Sequence, residues 1–319
     1  MSTTKLNTKR IELPKIDSVI NKNIPSGFSI RDKEHKYCNS IDLSMLKCAK
    51  AINLDRAYKS IGTLGGGNHF IEIDKGIDGC FYLVIHSGSR RLGKDVALYH
   101  MAAAFFAANG ISPEEAFKRR MRFREVNSRF QPGSCFLSGE HLEKYLHDMN
   151  IAVLYAELSR KQMGEALIEA MGLTVVDSFI TIHNYIDTDA RVLRKGAVSA
   201  QNGELLIIPI NMRDGSLICR GKGNAEWNYT APHGSGRLMK RSEAKECISL
   251  EEYRESMRGV FSTSVNESTI DESPMAYRSI DDILDVVEPT VEIIDMATPV
   301  YNFKASKGAF DEETADGQD

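Results

Sequence analysis

The stretch HFIEIDKGIDGCFYLVIH, residues 69–86, decides how this chain is read. It holds two short runs rich in Ile, Val, Phe and Tyr, HFIEI and CFYLVIH, separated by Lys75-Gly-Ile-Asp-Gly, a composition that turns a chain back on itself. The pattern predicts a pair of sheet strands with a histidine at each outer edge. His69 opens the first strand and His86 closes the second.

Upstream, Gly62 to Gly67 form a Gly-rich loop, preceded by a helix-like stretch from about Leu43 to Tyr58 and a mixed, polar segment over residues 1–60. Downstream, from Gly93 to Gly172, the apolar spacing changes to three and four residues, as in AAAFFAA and YLHDMNIAVLYAELSRKQMGEALIEAMG. Strand character returns at TVVDSFITIH, ending on His183, then at GELLIIPINM and SLICR. Shorter helices follow, with capping boxes at Ser249 to Glu252 and Ser279 to Asp282, before the last strands VEII and VYNFK. The fold class read from this order is α+β: one mixed domain over residues 1–305 with a helical insertion around 93–172. The acidic segment 306–319 lacks periodicity and reads as a disordered tail.

At 319 residues, 42% hydrophobic and 26% charged, the chain has the balance of a soluble globular protein with a proper core. It contains no uninterrupted apolar run of membrane-spanning length. Its six cysteines are scattered without CxxC pairs, which points to free thiols in a reducing compartment, the cytoplasm. A net charge of −4 excludes a protein that coats nucleic acid by its overall field. Any RNA contact falls to a local patch, and the best is a helical-looking run with Lys118, Arg119, Arg120, Arg122, Arg124 and Arg129; taken alone, that run reads equally well as a solvated helix face.

Four of the eight histidines share a setting of Gly, Asn, Ser and Arg: GGGNHF, HSGSRRLG, HNYID and APHGSGR. Strand-end loops of this kind are where a rigid scaffold presents ligands and nucleophiles. His69, His86 and His183 are the natural ligands for one or two divalent ions, with zinc and manganese both open on softness alone. His233 sits between Pro232 and Gly234 and ahead of Arg237, Lys240 and Arg241, a positive neighbourhood for phosphate. Neutral imidazole can attack phosphorus there and imidazolium can leave again.

The blocks GTLGGGNHFIEI (62–73), HSGSRRLG (86–93), HNYID (183–187) with RKGAVSA (194–200), and GKGNAEWNYTAPHGSGRLMKR (221–241) resemble, in order, those of the RtcB family of RNA-splicing ligases, from about residue 24 to Ala305. The resemblance implies an enzyme that joins RNA 3′-phosphate or 2′,3′-cyclic phosphate ends to 5′-hydroxyl ends in RNA repair or tRNA splicing, using GTP and Mn2+ through a histidine-GMP intermediate. It implies His233 as the guanylylated nucleophile and His69, His86 and His183 as metal ligands. Asn68 and Asn184 fall at phosphate-contacting positions, Glu72, Ser216, Tyr277 and Lys304 at the guanine pocket, and Arg90 near bound anion. Read from the strand pattern alone, Glu72 is a solvent-facing residue.

Two departures accompany the match. The family's upstream Asp-x-x-Cys-Gly segment does not occur, so the reading is that about the first quarter of the fold is missing and manganese is held less tightly. Pro209-Ile-Asn-Met stands where the family has Pro-Gly-Ser-Met, leaving Asn211 to hydrogen-bond phosphate or base. The alternatives are a catalytically impaired RNA- or GTP-binding remnant, or a metal-dependent RNA phosphoesterase.

Overall fold

The strand and helix periods become the elements of an α+β fold. The computed structural model describes residues 1–305, so the expected tail lies outside it. In chain order the elements are β1 (Ser2–Leu6), α1 (Leu13–Asn23), α2 (Leu54–Lys59), β2 (Phe70–Lys75), β3 (Phe81–His86), α3 (Arg90–Ala108), α4 (Pro113–Lys118) and α5 (Gly139–Met171). They continue with β4 (Val175–Ile180), β5 (His183–Asp187), β6 (Val192–Ser199), β7 (Leu205–Asn211), β8 (Gly215–Gly221), β9 (Thr230–Pro232), α6 (Arg241–Cys247), α7 (Leu250–Ser256), α8 (Asp281–Val287) and β10 (Val291–Lys304). No helix among the described residues is long and apolar enough to cross a membrane.

These elements form two compact units. The first comprises, of the described residues, Met1–Ile30, Gly62–Ser87 and 160–305; the second comprises Arg31–Ile61 and Gly88–Ser159. The expected helical insertion therefore divides: α3, α4 and the first part of α5 fall in the second unit, and the end of α5 in the first.

The first unit is built on a seven-stranded antiparallel sheet, β4-β1-β3-β2-β10-β8-β7, and a three-stranded sheet, β5-β6-β9. Alternation along β2 and β3 sorts their side chains between two cores. Ile71, Ile73, Leu83 and Ile85 pack with Ile16 and Ile20 of α1 and Met163 and Leu167 of α5, whereas Phe70, Tyr82 and Val84 pack with Ile207 and Ile218. Each fully buried side chain of this kind contributes about 1.5–3 kcal/mol relative to exposure. Both faces are covered, which is why these runs read as nearly continuous hydrophobe.

Three strand expectations are corrected. The polar N-terminal stretch forms β1, hydrogen-bonded between β3 and β4, because Thr3 and Leu6 find burial that only tertiary neighbours provide. TVVDSFITIH breaks at Thr181 into β4 and β5, which belong to different sheets. VEII and VYNFK are halves of one 14-residue strand, β10, which pairs with β8 and then β2 across register shifts after Ile293 and at Pro299. Proline lacks the N–H a regular ladder needs, so it sits at such an irregularity.

In the second unit Leu43, Ile61, Leu92, Val96 and Tyr155 form one core, and Phe105, Phe106 and Ala116 a smaller one. The helix expected over 43–58 is two 3-10 turns followed by α2, because Asp42 and Asn53 side chains accept from Ser44 N and Arg56 N and restart the chain at each. The basic run is likewise no continuous helix. α4 ends at Lys118, Arg120 takes a positive φ of 53°, and a 3-10 turn spans Phe123–Glu125. Its interleaved Phe117, Met121, Phe123 and Val126 pack on the smaller core, which leaves the basic side chains exposed.

Candidate functional site

The four histidines singled out in the sequence meet in the first unit. His69 lies just before β2, and His86 ends β3 directly across from Phe70. His183 opens β5, and His233 follows β9, held beside β6 by the pairing of Ala197 with Pro232. Ring centroids are 5.6 Å apart for His69 and His86, 5.2 Å for His86 and His183, and 5.0 Å for His183 and His233. The rings thus run as a chain from the ends of β2 and β3, interior strands of the large sheet, to the small sheet. Arg160, buried, donates to the Ser87 carbonyl at 2.9 Å and pins the chain just beyond His86.

Burial governs the charge of these rings. It pushes His86 well below its ordinary value, with His183 and His69 adding to the effect. It pushes His183 down to about 3 and lowers His233 as well. All three are therefore neutral at pH 7, with a lone pair free for a metal ion or an electrophile. A donor set of neutral imidazoles suits a divalent ion.

His233 is positioned through its neighbours. Asn184, at a positive φ of 54°, accepts from Gly196 N at 2.8 Å, and Gly196 in turn accepts from His233 N at 3.3 Å. A Cβ at Gly196 would lie 4.0 Å from His233 Nδ1, so that side of the ring faces Gly196. Non-glycine residues at positive φ are uncommon and concentrate where function needs a particular geometry.

The sequence matches known proteins over this framework. The family model described as tRNA-splicing ligase RtcB matches residues 4–305. The chain belongs to the RtcB family. RNA-splicing ligase RtcB1 of Escherichia coli strain ATCC 25922 is 33% identical over 255 residues, covering 74% of this chain and 59% of the relative. RNA-splicing ligase RtcB of E. coli K12 is 32% identical over the same shares, and tRNA-splicing ligase RtcB of Aeropyrum pernix is 28% identical over 342 residues, 89% of this chain and 68% of that protein. The chain thus spans about three fifths of the length of the two E. coli relatives it matches.

For this RtcB chain, the residues expected at the guanine pocket come together on and beside β2, β8 and β10. Glu72 is buried on the same face of β2 as Asp74 and accepts from the amide of Asn302, its cross-strand partner on β10. Ser216 of β8 faces Asp74. Burial, reinforced by Glu72, pushes Asp74 well above the carboxylate range, and burial also raises Glu72, to about 7, against the lowering effect of Asp74, Asn302 and Lys304. Lys304 donates to Glu272 at 3.0 Å, and the Tyr277 hydroxyl donates to the same carboxylate at 2.7 Å. Burial alone would raise Glu272, but Lys304 and Arg241 outweigh it and hold the carboxyl well below its usual range. Asp74, Glu272 and Asn302 were missed by sequence reading. The one available signal was an acid two positions after Glu72, on the same face of an otherwise apolar strand.

The expected positive neighbourhood of His233 is largely committed elsewhere. Arg241 pairs with Asp271 at 2.7 Å and with Glu272, while Arg237 donates to Tyr277 at 2.9 Å and to the Asp271 carbonyl at 2.6 Å. Asn211 is used in the turn between β7 and β8: its Oδ1 accepts from Arg213 N and Asp214 N, and its amide donates to Asp214. Asn68 is exposed beside His69. Arg90, at a positive φ of 56°, belongs to the second unit.

Proposed function

We propose that this chain is a GTP-dependent RNA ligase that joins 3′-phosphate or 2′,3′-cyclic phosphate ends to 5′-hydroxyl ends through a GMP carried on His233, with residues 1–305 as its catalytic domain. The observation that carries the reading is the approach of His233 to His183 at 5.0 Å, at the end of a line of imidazoles in which His86 is buried and the others half-buried. His69, His86 and His183 would hold Mn2+, which when bound would draw charge from phosphate oxygens.

The residues of the chain do the rest. Neutral His233, its Nδ1 side turned to Gly196, presents its other nitrogen to the α-phosphorus of GTP, and pyrophosphate leaves as the N–P bond forms. A 2′,3′-cyclic end is first opened by water, which breaks the P–O2′ bond and leaves a 3′-phosphate; GMP then passes to an oxygen of the RNA 3′-phosphate, freeing the imidazole. The 5′-hydroxyl displaces GMP and closes the phosphodiester. Glu72, as the carboxylate, would accept from N1 and N2 of guanine together. Asn68 and Asn184 lie beside His69 and His183 in sequence, where triphosphate oxygens would be handled. All six cysteines are free thiols, which supports a reducing, cytoplasmic setting.

Incubation with radiolabelled GTP and Mn2+ tests this. An acid-labile, base-stable protein label that is lost in His233→Ala supports the ligase. A second reading, a protein that binds GTP or RNA without guanylylation, is favoured by the commitment of Arg237 and Arg241 to Tyr277, Asp271 and Glu272. Absence of label in the intact chain, with GTP still bound, would establish that reading instead.

A further inference from the structure

The second unit carries a cluster that the ligase chemistry leaves unused. Cys48, His100 and Asp148 come from the 3-10 segment before α2, from α3 and from α5. Their ligand atoms all lie within 4.8 Å of one another, the only such trio of His, Cys, Asp or Glu among the described residues. Each is almost fully excluded from solvent. We propose that these three residues form a structural binding site for a divalent ion of the zinc class, stapling the three segments of this unit together.

Three features beyond proximity support the assignment. The first is donor chemistry: thiolate, imidazole and carboxylate together are a borderline-soft set that suits zinc better than manganese or magnesium. The second is charge. A dication held by one thiolate and one carboxylate is electroneutral, which suits a site whose three side chains are all buried. The third is the orientation of the carboxylate. Asp148 Oδ1 accepts from Lys47 N at 2.7 Å and approaches His147 Nδ1 at 3.1 Å, and Oδ2 accepts from Cys48 N at 3.1 Å and lies 2.9 Å from His100 Nε2. The bonds from Lys47 N and Cys48 N are outer contacts of the kind that fix a ligating carboxylate in metal centres, whereas the contact between Oδ2 and His100 Nε2 is given up when both atoms bind the ion. Tyr99 and Tyr145 close around the His100 ring at 5.1 and 5.2 Å.

Ligands on one tetrahedral zinc are separated by about 3.3–3.7 Å, given bond lengths near 2.0–2.3 Å. The observed spacing therefore needs shifts of about 1 Å or less. On binding, the Cys48 thiol releases its proton to solvent, and His100 ligates through Nε2 as the Nδ1–H tautomer. His147 or a water takes the fourth corner.

The full chain is tested with zinc and cobalt in a His183→Ala background, which removes a member of the other histidine group. The expected results are about one equivalent of zinc retained through dialysis against a weak chelator, and on cobalt substitution a near-ultraviolet thiolate-to-metal band with the visible bands of a tetrahedral ion. Cys48→Ser abolishes the thiolate band. If Cys48→Ser fails to fold, zinc-edge absorption on the parent protein decides: one sulfur at about 2.3 Å supports the site. A first shell of nitrogen and oxygen alone, no retained metal, or a thiolate band that survives Cys48→Ser would overturn it and leave a hydrogen-bonded polar core.

Discussion

Gly196 is a residue whose replacement separates positioning from space. A Cβ there meets His233 Cε1 at 3.9 Å, an ordinary separation, but the φ of +67° disfavours any L side chain. Gly196→Ala should cost about 1–2 kcal/mol of stability from backbone strain. It should also slow guanylylation about tenfold, since a 1.4 kcal/mol loss at the transition state suffices for that; single-turnover labelling set beside thermal melting separates the two effects. On the proposed reading, Glu72→Gln puts a donor where guanine N1 and N2 would need an acceptor, so labelling by GTP should fall about 10- to 100-fold while labelling by other nucleoside triphosphates falls less. An equal loss for all nucleotides would remove Glu72 from base recognition. The pH behaviour follows from the same site. His233 has a folded pKa below its ordinary value, so the attacking neutral ring persists as pH falls past about 6.5. The acid limb of labelling should therefore lie below that pH. Stability carries the matching sign: because His183 is depressed to about 3, its contribution is complete above about 6.5 and is lost as pH drops toward 3. Acid titration of the chelator-treated protein followed by unfolding checks this, and His183→Ala should flatten the slope.

At the scale of elements, β10 is the member that joins the sheet: one half pairs with β8 and the other with β2. The turn feeding β8 is therefore unforgiving. A Cβ at Gly215 would lie 2.0 Å from the Ala297 carbonyl and 2.7 Å from Pro299 Cδ, at a φ of +82°. Gly215→Ala should cost about 3 kcal/mol or more, strain and overpacking together, whereas Gly79→Ala, at the same φ in open space, should cost about 1–2 kcal/mol. Urea midpoints of the two variants test the contrast. The capping boxes predicted at Ser249 and Ser279 are both present as reciprocal hydrogen bonds, since each depends on residues only three apart. β1 was illegible for the opposite reason, its partners being distant in sequence.

For the whole molecule, the proposed ligase reading with a net charge of −4 leaves RNA affinity to the exposed basic run in the second unit. Arg119 is already paired with Glu115 and should matter least. Replacing Arg120, Arg122 and Arg124 by Glu should weaken binding and reduce the slope of log affinity against log salt by about one for each RNA phosphate that the protein no longer neutralises. An unchanged slope would return this run to a plain solvated face.

Sequence alone determined the α+β class, the short helix caps and the identity of the four histidines, because periodicity, capping and Gly-rich strand ends are local properties of the chain. Tertiary structure alone decided which strands are neighbours, that Asn184 and Gly196 hold His233, that Asp74 and Glu272 sit beside the expected pocket residues, and that Cys48, His100 and Asp148 meet. Those facts rest on long-range pairing and on desolvation, and neither is written in the spacing of residues along a chain.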